Sequence, residues 1–275
     1  MAGQGGLRAR LKALLAAGIS RAGPLVARPG LVDTFDGLLD AIAAHDRTRL
    51  LDAVARADPS FADRAVTFAQ EGEDLILARM LEGAPPGFFV DVGAHHPWRY
   101  SNTWLLYLAG WRGINIDATP GRMELFRQYR PGDISIEAFV GDPAAEIEFV
   151  MYNEPALNTG SARVANERAL PDDQYRRIGT ARIRPRRLAD ILAEHVPAGT
   201  SIGVMSIDVE GLELDVLRSN DWDRFQPAIL LVEQLATDLE ACLGHETTRF
   251  LQGFGYRPVA KAYNTAFFRR DEVRA

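Results

Sequence analysis

The pattern of apolar and polar positions changes character along the chain. Through residue 65 it is helical. Leu7, Leu11, Leu14, Leu15 and Ile19 fall at helical spacing, as do Phe35, Leu38, Leu39 and Ile42 in Val32–Ala44. A third short helix is predicted over Arg47–Ala57, ending before Pro59. Residues 1–65 therefore read as a helical N-terminal extension. From residue 66 short β-rich runs alternate with helical segments. Strands are predicted at Gly87–Val92, Gly113–Asp117, Ile134–Val140, Ile202–Asp208 and Ala228–Glu233. Helices are predicted at Glu73–Leu81, Asn102–Ala109, Gly121–Gln128, Leu188–His195, Glu213–Arg218 and Thr237–Gly253. That alternation implies βαβ units and an α/β domain over residues 66–275 with a mostly parallel sheet. Tyr256–Ala260 and Thr265–Arg269 are too close together for a parallel crossover, so they should close the sheet as an antiparallel hairpin.

Composition narrows the partners. The chain has 275 residues, 47% of them hydrophobic, and a net charge of −6. That balance argues against a nucleic-acid binder. The one cysteine, Cys242, excludes an intrachain disulfide and points to a reducing, cytoplasmic compartment. No run is long enough for a membrane span. Arg8, Arg10 and Lys12 precede the apolar stretch Ala13–Ile19. This segment reads first as a helix packing on its own protein. A helix on a membrane surface and a cleaved signal are the other readings. Peripheral membrane contact and a homo-oligomer both stay open.

The chemistry gathers at strand ends. Asp91, Asp117, Asp208 and Glu233 each lie at the end of a predicted strand, where open α/β sheets bind ligands. Gly93 permits a tight turn after the first strand. Asp117 closes the second strand, where a dinucleotide fold holds ribose hydroxyls. The turn has one glycine rather than G-x-G-x-x-G, which favours a nucleoside cofactor without a pyrophosphate, such as S-adenosylmethionine. Neither Lys12 nor Lys261 follows a glycine-rich loop, and no Tyr has a Lys four positions on. Those absences weigh against a phosphate-binding loop and against a nicotinamide-dependent oxidoreductase.

Six segments carry a family resemblance: Gln70–Asp74 (QEGED), Phe89–Pro97 (FVDVGAHHP), Tyr100–Thr103 (YSNT), Gly110–Ala118 (GWRGINIDA), Pro120-Gly121 and Ile207–Gly211 (IDVEG). Together they resemble the FkbM-type S-adenosylmethionine-dependent methyltransferases, from residue 68 to about residue 270. The resemblance implies a class I methyltransferase fold, Rossmann-like, and O-methylation of a sugar in a glycan or glycosylated product. A non-catalytic methyltransferase-like binding module is the remaining alternative. By the same resemblance Asp91, Gly93 and Ala94 would meet the methionine end of the cofactor. Asp117 would hold the ribose, Ala118 would lie beside the adenine, and Gly141 and Asp142 near its amino group. The Gln70–Asp74 run, with Glu71, would close over the cofactor; the plain alternative is a helix cap.

A hydroxyl acceptor needs a group to take its proton. Asp208 and Glu210 are the first candidates, His95 and His96 the second. Asp208, Glu210 and Glu233 would also suit Mg²⁺, although a metal is not favoured. Tyr100 and Asn102 are expected at the acceptor. Arg184 and Arg186 lie in an Arg-rich stretch, Arg163–Arg187, and would grip an anionic acceptor. The alternative is that these arginines form a solvated strand face.

Overall fold

The computed structural model describes residues 67–144, 146–168, 175–235 and 238–270. The predicted N-terminal helices lie outside the described residues. The first helix, α1 (Glu73–Met80), leads into β1 (Phe88–Val92), which Pro85 and Pro86 precede and Gly93 ends. Next come α2 (Trp104–Leu108), β2 (Arg112–Asp117), α3 (Met123–Tyr129) and β3 (Ile134–Glu137). An insert follows, made of β4 (Ile147–Tyr152), a short turn at Pro155–Leu157, α4 (Ala162–Glu167) and β5 (Arg177–Ile183). The chain continues through α5 (Leu188–His195), β6 (Ile202–Ile207), α6 (Glu213–Arg218) and β7 (Ile229–Glu233). It finishes with α7 (Leu239–Gly244), α8 (Glu246–Gln252), β8 (Tyr256–Ala262) and β9 (Thr265–Arg270).

Seven strands form one sheet in the order β3-β2-β1-β6-β7-β9-β8. The first five are parallel; β9 runs antiparallel to both β7 and β8. This is the class I methyltransferase arrangement, with the antiparallel hairpin at its end. Side chains alternate across the sheet as the strand period requires. Phe89, Val204, Leu231 and Phe267 pack on one face with Leu77 and Trp111. Val90, Val92, Met205, Leu230 and Phe268 pack on the other with Leu188, Ile191 and Leu217. Strand order reverses direction between β1 and β6. That switch point opens a crevice at the carboxyl ends of the strands.

Three elements differ from expectation. The helix predicted over Thr237–Gly253 is two helices, Leu239–Gly244 and Glu246–Gln252, broken at His245, whose backbone is extended and whose Nδ1 caps the second by accepting from Thr247 N at 3.4 Å. β3 stops at Glu137 because Phe139 and Gly141 turn to exchange backbone bonds with Arg186. The strands β4 and β5 pair with each other in a separate two-stranded sheet, with Phe149 opposite Ala181. Their outer face is exposed, and β5 carries Arg182 in the solvated strand face that the sequence offered as the alternative for this stretch.

Candidate active site

The crevice is a cleft holding about 730 Å³ of empty space, counted out to its open mouth. Loops after β1, β2, β3 and β6 form its inner walls. Phe149, Pro155, Ala156 and Asn158 of the insert form the wall opposite. Gly93 is at φ 82°, and a Cβ there would lie 1.6 Å from the Asp208 carbonyl oxygen. Only glycine lets the β1 and β6 ends approach so closely. The amides of Gly93 and Ala94 both donate to the Ile116 carbonyl, at 2.9 and 3.0 Å, which fixes the turn beside β2.

Asp117 sits in this wall with its carboxylate spread over two loops. Oδ2 accepts from His95 N at 2.9 Å and Oδ1 from Thr119 N at 2.7 Å. A carboxylate offers about four acceptor positions, so lone pairs remain for ligand hydroxyls. Ala118 and Thr119 continue the wall, and Ala138, Phe139 and Val140 complete an apolar corner with Phe149. His95 and Tyr100 both lie in the left-handed region, at φ 52° and 56°, and their rings stack at 6.1 Å. Such backbone is uncommon for bulky residues and tends to collect at functional sites. Burial first, and then the Arg122 cation, press the His95 pKa down to about 4. His95 is therefore neutral, and its buried Nε2 has no hydrogen-bond partner.

The acids of the β6 loop converge with the end of β7. Carboxylate oxygens of Asp208, Glu210 and Glu233 lie within 4.8 Å of one another. Burial raises the proton affinity of Asp208 well above the usual carboxylate range, and its acidic neighbours, led by Glu210, raise it further. Glu233 is raised by burial and then by Asp208, to which it is hydrogen-bonded. Two carboxyl groups in that position share a proton. Glu210 differs. Burial raises it, but Arg168 opposes the shift through an ion pair. Its backbone is left-handed at φ 60°, and Thr159 Oγ1 donates to its carbonyl at 2.8 Å. These three acids are the group, among the described residues, able to offer oxygens to a divalent cation.

Several sequence-predicted residues are used elsewhere. Asp91 is buried and accepts from Thr103 Oγ1 at 2.6 Å; Arg130 bonds the same hydroxyl at 3.1 Å and pairs with Asp133 at 2.8 Å. Burial raises Asp91 to about 6, against the opposing pull of Thr103 and Arg130. Its carboxylate anchors the loop before α2 and does not line the cleft. Ala94 packs against Met123 and Phe126. Gly141 donates to the Arg186 carbonyl at 2.9 Å, and Asp142 accepts from Ala144 N at 2.9 Å, so Ala138–Val140 lines the cleft in their place. His96 closes a turn, its Nδ1 accepting from Trp98 N and Arg99 N at 3.3 and 3.2 Å. Glu71 accepts from Asn264 N at 2.7 Å, tying its loop to the β8–β9 turn; its neighbour Gln70 is the one that reaches the cleft. Asn102 Nδ2 donates to Ser206 Oγ at 3.0 Å. Arg184 is exposed past the end of β5, and Arg186 pairs with Glu194 at 2.7 Å. Neither arginine lines the cleft.

Residues 91–258, more than half of the chain, match the model of the methyltransferase FkbM domain. The chain belongs to the FkbM methyltransferase family. Its activity is accordingly S-adenosylmethionine-dependent methyl transfer. No curated protein matches it in sequence. Among solved structures, it is similar to a TehB-like SAM-dependent methyltransferase from Corynebacterium glutamicum (12% identity, 82% of this chain and 100% of that one, TM-score 0.36). It is also similar to an O-methyltransferase from Bacillus cereus in complex with SAH (10%, 92% and 96%, TM-score 0.35). A third is precorrin-6y C5,15-methyltransferase from Geobacter metallireducens (13%, 77% and 93%, TM-score 0.34).

The cleft of this FkbM methyltransferase fits S-adenosylmethionine. Asp117 keeps acceptor capacity for ribose hydroxyls, and the apolar corner at Ala118, Phe139 and Phe149 suits a purine ring. His95 lines the same space. Sequence reasoning missed Thr119, Phe139, Phe149, Ala156 and Asn158, since apolar and loop residues carry no chemical signature of their own. Among the described residues no helix is long and apolar enough to cross a membrane.

Proposed function

We propose that this FkbM methyltransferase methylates a hydroxyl oxygen of a sugar, in a glycan or a glycosylated product. Bound S-adenosylmethionine supplies the methyl group. The chain's own part is to orient the acceptor and take its proton. One observation carries the reading: Asp208 and Glu210 line the same cleft as Asp117. A proton acceptor therefore stands beside the cofactor wall. Of the two acids, Asp208 is the better base. Burial and then the neighbouring Glu210 raise its proton affinity well above the usual carboxylate range, whereas Arg168 holds Glu210 in an ion pair. Tyr100 supports an acceptor at the mouth, where 45% of its surface is exposed beside the stacked His95. Aromatic faces of this kind take apolar faces of rings while leaving hydroxyls to polar neighbours.

The test is transfer from methyl-labelled S-adenosylmethionine to a panel of sugars, glycans and glycosylated products, with the modified atom located by NMR. Label on a hydroxyl oxygen supports the reading. Label on nitrogen or carbon overturns it. Running the panel with added Mg²⁺ and then with a chelator decides whether the acid cluster needs a metal.

A further inference from the structure

The insert between β3 and α5 stands apart from the main sheet yet supplies one whole wall of the cleft. Polar contacts join it to the loop after each of three strands. On the β1 loop, Arg99 forms a two-pronged ion pair with Glu154, at 2.7 and 3.2 Å. On the β2 loop, Asn158 Nδ2 donates to Thr119 Oγ1 at 3.0 Å. On the β6 loop, Arg168 pairs with Glu210, and its other arm donates to the Leu157 carbonyl at 2.7 Å. Val164 packs so tightly on Gly211 that a Cβ there would meet it at 2.6 Å.

We propose that the insert is a clasp over the cofactor and that the Arg99–Glu154 pair is the latch setting the rate of cofactor exchange. The inference rests on the cleft being the S-adenosylmethionine site. A ligand in the cleft lies between the strand-end loops and Phe149, Ala156 and Asn158 of the insert. A ligand held between these two walls is released more readily when the insert yields. Of the three ties, Arg99–Glu154 is the most open to water, with side chains 42% and 24% exposed. It is also tied to the wall itself: Glu154 Oε1 caps the Pro155–Leu157 turn by accepting from Ala156 N at 3.2 Å. Breaking the pair frees the residue that holds Ala156 in place. An exposed ion pair is weak and opens readily, as a latch that works at every turnover must.

S-adenosylhomocysteine is the probe, and its release is followed by stopped flow from the wild type and from Arg99→Gln, Glu154→Gln, the double variant and the charge swap Arg99→Glu/Glu154→Arg. Each single variant should release it about 1.5- to 5-fold faster, the scale of one exposed ion pair. The double variant should be no faster than the quicker single, since both remove the same interaction. The swap should recover part of the loss. Hydrogen exchange of residues 147–160 should slow on binding in the wild type and slow less in the singles. If a variant fails to fold, raising the salt on the wild type reads the same latch, because screening weakens an exposed pair and should speed release. Wild-type release rates in folded single variants, with wild-type protection of the insert, overturn the clasp alone. A wild type that does not bind S-adenosylhomocysteine overturns the cofactor reading and the clasp with it.

Discussion

Replacing Asp117 tests the cofactor wall most directly. Its carboxylate spends one acceptor position on His95 N and one on Thr119 N, and the rest face the cleft. Asp117→Ala removes a charged acceptor from any ribose hydroxyl placed there. A hydrogen bond to a charged group contributes about 1.5–3 kcal/mol. At tenfold per 1.4 kcal/mol, S-adenosylhomocysteine should bind roughly 10- to 150-fold more weakly. The same change strips two backbone amides of their acceptor, so part of any loss could come from a loosened loop. Asp117→Asn separates the two effects. It keeps one oxygen for one of the amides and offers the ribose a neutral partner, worth about 0.5–1.5 kcal/mol. Affinity should therefore fall in the order wild type, Asn, Ala. The assay is calorimetric titration, with a thermal melt of each variant to show that it is folded. Folded variants that bind within about threefold of the wild type refute the assignment of Asp117. So does a wild type that binds NAD in preference to S-adenosylmethionine.

Asp208→Asn should keep S-adenosylhomocysteine binding and lower single-turnover methylation by about 10²–10⁴-fold, the usual cost of a lost general base; Glu210→Gln should cost less. Near-normal turnover in both variants would move the proton acceptor to His95 or His96. Gly93→Ala forces a Cβ into the Asp208 carbonyl and a left-handed alanine, so a urea melt should show at least about 2 kcal/mol lost; an unchanged melt refutes the close approach. The His95 pKa is depressed in the folded state, so its contribution to stability is present above about 6.5 and lost as pH falls through about 4. Between those values the wild type should lose more stability than His95→Asn, and equal losses by urea melts at several pH values refute the burial argument. Arg184→Ala with Arg186→Ala should leave both cofactor affinity and acceptor KM unchanged, since neither arginine lines the cleft; a raised KM for an anionic acceptor, with a weaker salt dependence, would return them to the acceptor site.

The sheet was legible because each core strand is an apolar run ending in a turn signal or an acid, and the closing hairpin because its two runs lie too near for a crossover. The insert was not. In β5, Arg177 and Arg182 point outward on a one-faced strand, and that pattern is the same for a surface loop. The insert's place over the cleft is a tertiary fact, so Phe149 and Asn158 carried no local sign of their role. The strand-end acids were visible, but their division of labour was not. Asp91 and Asp117 occupy similar positions in sequence, one after a strand's central residue and one at its end. Thr103 and Arg130, brought in by α2 and α3, claim the first; backbone amides leave the second partly free. Gly141 and Asp142 failed to reach the cleft because Arg186, 45 and 44 residues later in sequence, pulls the backbone after β3 onto itself.

The fates of the acids explain how one crevice can carry several carboxyl groups without repelling itself apart. Unpaired buried charge is costly, so each group needs its own compensation. Asp91 has a hydroxyl and the nearby Arg130 guanidinium. Asp117 has two amides. Glu210 has Arg168, and Glu213 accepts from Val209 N and Gly211 N at 3.1 and 3.0 Å. Asp208 and Glu233 alone have chiefly each other, and a shared proton settles their charge. Compensation by amides or by a guanidinium is fixed in place and favours a charge that stays. Compensation by a proton can change during a reaction. On the proposed reading, the pair at the ends of β6 and β7 is the part suited to proton transfer, with Asp208 its member on the cleft.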